Sequence, residues 1–321
     1  MHNIASSNEA GAQPRLFFGL NIDPGVDGLE EALYRARRAD RSDLDVIALQ
    51  DHPYNPGLFD TWTLLSVLAA QTERVHLATN VLNTPLHPPA MLAKSAATLD
   101  VISGGRLELG LGAGGYVDGM RAWGASVGST PGERYQAFKE YVDVVRGLWA
   151  HSDEPFDYEG QFHQVRGAAS GPAPAHPIGL WFGANGPRML RLAGQEADGW
   201  VIGSVYILPE GLVEVNRQLD AGAVRAGRDP ASVHRGYNLM GMIDLGGAGR
   251  RIRFNRPGVI TGTPEEWVET LLGLHRDYRH DTFVFWPVAG DAHAQIEVFI
   301  EQIMPAVRQG ILEMEKGSSR A

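Results

Sequence analysis

Eight times along this chain a short run of branched or aromatic residues gives way to a longer amphipathic stretch, and that alternation restricts the fold more than any other feature. The runs fall at residues 16–22, 45–50, 75–81, 106–112, 178–182, 199–202, 235–245 and 282–288. The stretches that follow them cover 29–41, 60–73, 88–103, 132–150, 187–196, 209–226, 264–276 and 292–309. Short runs such as Val75-His76-Leu77-Ala78 and Phe283-Val284-Phe285-Trp286 are typical of buried parallel strands. Eight strand–helix units predict an α/β fold, a (β/α)8 TIM barrel with insertions. An open doubly wound sheet alternates in the same way, so the count favours the barrel without proving closure.

Local chemistry marks several of the helix starts. Thr130-Pro131-Gly132-Glu133 and Thr263-Pro264-Glu265-Glu266 each supply a Thr cap, a Pro at the first helical position and a Glu at the third. In the fourth helix Tyr135, Phe138, Val142, Val145 and Trp149 recur by threes and fours, which predicts one apolar stripe against a sheet. Two segments break the rhythm. Residues 155–177 read as a small hairpin followed by a Gly, Ala and Pro rich stretch, and 246–262 read as a mobile lid carrying Arg250, Arg251, Arg253 and Arg256. Residues 1–15 read as a polar disordered leader, 16–310 as a single domain and 311–321 as a polar tail.

Composition closes off several functions. The longest strongly apolar stretch, residues 64–70, is far short of the roughly 18 residues that span a bilayer. With 28 basic against 38 acidic residues the net charge is −10, which argues against nucleic acid and anionic membrane as partners. The chain has no Cys, which excludes disulfides, Cys-held metal and thiol catalysis, and a cytoplasmic location fits.

In a barrel of this kind the residues just past each strand build the site. They are Gln50-Asp51-His52-Pro53-Tyr54, Asn80-Val81-Leu82-Asn83-Thr84-Pro85, Gly110-Leu111-Gly112-Ala113-Gly114-Gly115-Tyr116 and Gly183-Ala184-Asn185-Gly186-Pro187-Arg188. Asp51, His52 and His87 could ligate a metal, but no His-x-His lies on the first strand and no Lys follows the fourth, so no metal site is expected. No Gly-x-Ser-x-Gly elbow occurs. The Gly110 to Gly114 run matches a dinucleotide fingerprint only weakly, yet Gly112 and Gly114 leave the backbone bare for a flat ring or a phosphate. Ala184, Asn185, Gly186 and Pro187 lead free amides into a helix N-terminus, which suits an anion.

The run from Thr79 to Pro85, then Pro88 to Ala90, Lys94, Ala97-Thr98-Leu99-Asp100, Ser103-Gly104-Gly105-Arg106-Leu107 and Gly110 to Gly114 resembles the bacterial luciferase-like oxidoreductases. Gly186-Pro187-Arg188-Met189-Leu190, Ala197-Asp198-Gly199-Trp200 and Gly262-Thr263-Pro264-Glu265-Glu266 follow in the same order as in that family. The resemblance covers residues 16–308 and is specific for fold and cofactor type, weak for substrate. It implies a cofactor, FMN or coenzyme F-420, across the barrel mouth, with a non-prolyl cis peptide behind the ring at Asn80 and Val81. It implies the cofactor phosphate at Asn185, Gly186 and Pro187, where the amides already suggested an anion. His52 matches a His near the reactive face in relatives and is expected to shuttle a proton, oriented by Asp51. Tyr54 at the rim, with Arg253 and Arg256 in the lid, is expected to meet substrate or cofactor tail.

The leading expectation is a flavin-dependent monooxygenase of a small organic substrate. The alternatives are an F-420-dependent hydride-transfer enzyme and a non-catalytic flavin-binding protein. FMN and F-420 stand level on the residues alone. The deazaflavin sugar dehydrogenases carry Glu after the fourth-strand glycines where this chain has Gly115, which puts that particular reaction in doubt. The family also implies a separate flavin or F-420 reductase and a homodimer.

Overall fold

The computed structural model describes residues 16–126, 128–246, 254 and 256–318. Along the chain run β1 (Phe17–Asn21), α1 (Leu29–Asp40), β2 (Val46–Leu49), α2 (Thr61–Ala70), β3 (His76–Thr79), α3 (Pro89–Ser103), β4 (Leu107–Gly112) and α4 (Pro131–Ala150). They are followed by β5 (Leu180–Gly183), α5 (Pro187–Glu196), β6 (Gly199–Gly203), α6 (Leu212–Arg225), β7 (His234–Ile243), α7 (Pro264–Tyr278), β8 (Thr282–Pro287), α8 (Ala292–Val298) and α9 (Met304–Ser318). Eight parallel strands alternate with helices, and the fold class is the (β/α)8 barrel that the sequence predicts. No described helix is long and apolar enough to cross a membrane.

The described residues gather into two compact units. The first comprises Asp23–Arg37 and Leu49–Gly183, and the second comprises 16–22, 38–48 and 184–318. In the first unit β4 pairs in parallel with β3 and with β5, placing Leu77 opposite Leu107 and Leu109 opposite Leu180. Its core is apolar from strand to helix: Leu109, Leu111 and Phe182 are buried, and the Phe138 ring of α4 meets Phe182 edge-on at 5.0 Å. In the second unit the parallel order runs β6, β7, β8, β1, β2. There Phe285 stacks on Phe299 at 4.8 Å and meets Trp267 edge-on at 5.3 Å.

Burial of charge also shapes the first unit. Arg106, only 7% exposed at the start of β4, donates to the carbonyls of Ser103, Val75, Ala69 and Thr72 and to the Thr72 hydroxyl, all at 2.7–2.9 Å. One guanidinium thereby binds carbonyls at the ends of α2 and α3 and in the turn that joins α2 to β3. Glu140, buried on α4, accepts the backbone amides of Gln161 at 3.0 Å, Phe162 at 2.7 Å and His163 at 3.1 Å. Burial opposes that charge, but the Phe162 amide, Gln136 and the other two amides outweigh it and hold the carboxyl below its ordinary range. The tip of the expected hairpin, Phe156–Glu159 paired with Gln164–Ala168, is seated in this way.

Both capping boxes form, at Thr130 with Glu133 and at Thr263 with Glu266. The α4 stripe holds at Phe138, Val142 and Val145, which are buried, whereas Trp149 stays partly exposed and donates its Nε1 to Ala93 O at 2.9 Å. The last helix departs from expectation. A π turn at Phe299–Ile303 divides it, and α9 runs to Ser318, through the segment expected as a polar tail, because Ile303, Val307 and Ile311 are all buried. Of the expected lid, Arg250, Arg251 and Arg253 lie outside the described residues, as does the expected leader. Arg256 is exposed, and the chain after it turns at Gly258 (φ 84°) so close to Ser204 that a Cβ there would sit 2.2 Å from the Ser204 carbonyl.

Two consequences are measurable. Arg106→Leu should cost about 3–5 kcal/mol in urea unfolding, because it leaves several buried carbonyls without donors. In the second unit His280 is 1% exposed between Tyr237 and Trp200, at ring distances of 5.1 and 6.0 Å. Burial first, then the charges of Arg235 and His275, push it down to about 4 against the pull of Asp281. The unfolded chain therefore binds a proton below about pH 6.5 that the folded chain refuses, and stability falls as pH drops from about 6.5 towards 4, by about 2–3 kcal/mol. His280→Phe should flatten that part of the acid limb, as read from urea midpoints at pH 7.5 and 4.5.

Candidate functional site

Past the end of β2, within the first unit, lies Asp51, whose side chain is 1% exposed. Its Oδ2 accepts the Asn83 backbone N–H at 2.8 Å and lies 3.1 Å from His87 Nε2, while its carbonyl accepts the Asn83 side-chain amide. A buried carboxylate thus pins the segment that follows β3. His52 takes a different partner from the one expected: its Nδ1 lies 2.8 Å from the Tyr54 hydroxyl, and the Tyr54 ring meets Tyr116 edge-on at 5.1 Å. The expected hydrogen bond from Asp51 to His52 is absent: Asp51 Oδ2 meets Asn83 and His87, and Oδ1 has no hydrogen-bond partner among the described residues. Asp51 reaches His52 only through its charge. Burial lowers His52 below its ordinary range and the Asp51 charge partly offsets this, leaving a neutral imidazole at pH 7.

The expected cis peptide is present between Asn80 and Val81. The Asn80 N–H donates to Leu49 O at 2.6 Å, and Thr79 Oγ1 donates to Gly110 O at 2.7 Å. Val81 then packs its methyl groups into a hollow that has no side chains of its own. A Cβ on Gly110, Gly112 or Gly183 would lie 3.0, 2.8 or 2.7 Å from Val81, and Gly112 and Gly183 face each other in the β4–β5 register. Gly114, at φ 83°, is backed by the Met120 thioether. The side-chain nitrogen of Asn80 is buried with no hydrogen-bond partner among the described residues.

A cavity of about 470 Å³ opens in the same unit, within the usual range for small-molecule sites. Thr84, His87, Trp123, Arg134, Tyr141 and His163 are among its walls. His87 connects it to Asp51; His52 and Tyr54 do not line it. The Tyr141 hydroxyl is buried and unpartnered among the described residues, and burial, then the Asp51 charge, push it above its ordinary range. Sequence reading missed Asn83 as a partner of Asp51 and all of Arg134, Tyr141 and His163. Tyr141 sits on the buried face of α4, where nothing separates a packing residue from a functional one.

In the second unit Ala184 O accepts Trp200 Nε1 at 2.7 Å, and Gly186 caps α5 with no side-chain hydrogen bond at the cap. A Cβ on Gly186 would meet nothing within 4 Å, and Asn185 is exposed. The cap therefore leaves room beside the start of α5, and a helix N-terminus is the kind of end that suits an anion. Asp51, His52, Tyr54, Asn80, Val81, Gly112 and Gly114 belong to the first unit, and Ala184, Asn185, Gly186, Pro187 and Arg256 to the second.

The Val81 hollow can be tested by a double-mutant cycle. Gly183→Ala should cost about 1–3 kcal/mol by crowding Val81. In a Val81→Ala background the same change should cost less by at least about 0.5 kcal/mol, as measured by chemical denaturation.

The sequence pattern of the luciferase-like monooxygenase family matches residues 8–244. A 5,10-methylenetetrahydromethanopterin reductase from Methanolobus tindarius is 33% identical over 216 residues, 67% of this chain and 62% of that protein. An F-420-dependent glucose-6-phosphate dehydrogenase from Microbacterium testaceum is 32% identical over 225 residues, 66% of this chain and 64% of that one. The chain spans about six-tenths of the length of these curated relatives. Among solved structures, an F-420-dependent secondary alcohol dehydrogenase in complex with an F-420–acetone adduct superposes with a TM-score of 0.79 at 19% identity, covering 91% of this chain and 99% of that one. A monooxygenase from Streptomyces bottropensis superposes at 0.76 with 22% identity, covering 90% and 99%. These two show a shared fold. The family pattern takes in the Asp51 turn, the Asn80–Val81 peptide, the glycines of β4 and the start of α5, and the chain belongs to the luciferase-like monooxygenase family.

Proposed function

We propose that this chain is an oxidoreductase that binds coenzyme F-420 or FMN and in which His52 takes or returns the proton of a small organic substrate. The observation that carries the reading is the neutral His52 imidazole held at 2.8 Å by Tyr54. Such a group accepts a proton at neutral pH and passes it on through a hydroxyl. The bound cofactor would supply hydride transfer. One buried group fits such a cofactor: the unpartnered Asn80 amide nitrogen can donate to a polar ring atom. Gly112 and Gly114, packed on one side by Val81 and Met120, are assigned to the ring by their place past the end of β4. Ala184, Asn185, Gly186 and Pro187 are assigned to the cofactor phosphate, at a helix start that no side chain caps. Tyr54, Arg253 and Arg256 are assigned to the substrate or the cofactor tail.

F-420 is preferred because sequence relatives at 28–32% identity carry it in their names. Gly115, where the sugar dehydrogenases carry Glu, argues against sugar oxidation as the reaction. Oxygenation with FMN is the second reading, favoured by the family's own description. A separate reductase would regenerate the reduced cofactor in either case.

Calorimetric titration of the untagged protein with F-420 and with FMN, each oxidised and reduced, is expected to show about tenfold tighter binding of F-420. Preference for reduced FMN together with oxygen consumption would move the assignment to monooxygenation, and binding of neither would overturn it. His52→Asn should lower kcat by about 10²–10⁴ with cofactor affinity unchanged. In the wild type kcat/KM should hold through the ordinary imidazole range and fall only at more acidic pH, since burial lowers His52 and the neutral imidazole is the active form. Cofactor binding with full turnover in the variant would remove His52 from the chemistry, and cofactor binding without turnover in the wild type would mark a flavin-binding protein.

A further inference from the structure

Away from the strand ends that carry Asp51 and Asn80, three ligand-type side chains meet at the strand starts of the first unit. His76 opens β3, Glu108 is the second residue of β4, and His176 lies in the segment that leads into β5. Glu108 is 2% exposed, and neither of its oxygens has a hydrogen-bond partner among the described residues. A bare carboxylate buried to that extent is costly unless something cationic holds it.

The geometry around it has the spacing of a coordination shell. Glu108 Oε1 lies 3.4 Å from His76 Nδ1 and 3.8 Å from His176 Nε2, and the three candidate ligand atoms all fall within 4.8 Å of one another. These separations exceed those of good hydrogen bonds. Ligands held tetrahedrally at about 2.0–2.2 Å from one ion stand roughly 3.3–3.6 Å apart. The Glu108–His76 pair matches this, and the Glu108–His176 pair is a few tenths of an ångström wider. The outer contacts agree. The second nitrogen of His176, Nδ1, lies 2.7 Å from Asp100 Oδ1, and Asp100 is itself fully buried and accepts the His176 and Leu107 backbone amides at 3.0 and 3.2 Å. A carboxylate behind a ligating imidazole fixes the ring so that its other nitrogen faces the ion. Gly105, at φ 80°, brings the backbone beside His176: a Cβ there would lie 3.4 Å from His176 Cβ.

We propose that His76, Glu108 and His176 bind one divalent transition-metal ion, with zinc the best match to a set of two imidazoles and one carboxylate. Asp100 positions His176. The His76 and His176 side chains are 15% and 13% exposed, which leaves a path for the ion and a fourth position for water. The ion would staple the starts of β3 and β4 to the segment before β5. This site is independent of the cofactor reading, and its test does not use turnover.

Untagged full-length protein, stripped with a chelator and exchanged into metal-free buffer, is loaded with Zn²⁺ and the bound metal counted by elemental analysis. One zinc per chain is expected. His76→Asn and His176→Asn should each retain less than about a tenth of it, and Asp100→Asn should weaken zinc affinity about 10–100-fold. Loading with Co²⁺ should give the visible absorption of a tetrahedral site in the wild type, lost in His76→Asn. Wild-type protein that is folded by circular dichroism but binds less than about 0.1 zinc would overturn the proposal. So would zinc retained undiminished by folded His76→Asn and His176→Asn. In the first case the cluster is a buried ion pair, with His176 held up to about 9 between Asp100 and Glu108.

Discussion

A space where no side chain exists governs the centre of the first unit. Gly110, Gly112 and Gly183 leave a groove in two paired strands, and Val81 fills it after the cis peptide that follows Asn80. Each of these positions refuses even a methyl group without a neighbour giving way. The bare backbone of β4 and β5 thus sets how near the segment after β3 can lie, and that nearness lets Asp51 reach the Asn83 amide. Close packing transmits such constraints because interiors deform little.

Charge inside this structure is handled by local saturation rather than by pairing at long range. Arg106 is surrounded by carbonyls, Glu140 by amides, and Asp51 by an amide and an imidazole. A buried ion supplied with several good partners costs far less than one left to a single opposite charge. Glu108 stands apart from this pattern: its oxygens face only two imidazoles at distances too long for hydrogen bonds.

The eight strand–helix units were legible because period and punctuation agree: caps at Thr130 and Thr263, glycines after strands and short branched runs all fix the same boundaries. Elements too short to carry a period were not legible, among them the two-residue strand Leu82–Asn83 and the helix Val117–Ala122. In the site, position past a strand end found Asp51, His52 and Tyr54, since the fold places such residues together whatever their type. Which side chain bonds which was not legible. Asp51 and His52 are neighbours in sequence, yet each is bonded to a residue two or more positions away. Residues 76, 108 and 176 are separated by tens of positions, with no motif joining them, and only the folded chain brings them within 4.8 Å.

The hairpin at residues 156–168 has a further consequence. Its tip meets the Glu140 carboxylate only through three backbone amides, so at the tip the seat recognises a shape and not a sequence. Its strand side chains are partly to fully exposed. The tip can therefore be exchanged for another of similar turn, provided that Gly160 stays small enough for Glu140 to come within contact of its backbone, while Phe156 and Tyr158 keep their places against Gly147 and Asp143 of α4. The insertion behaves as a replaceable part plugged into a fixed socket, and the variety of a family built on one barrel can accumulate at such a point without disturbing the strands that hold the site.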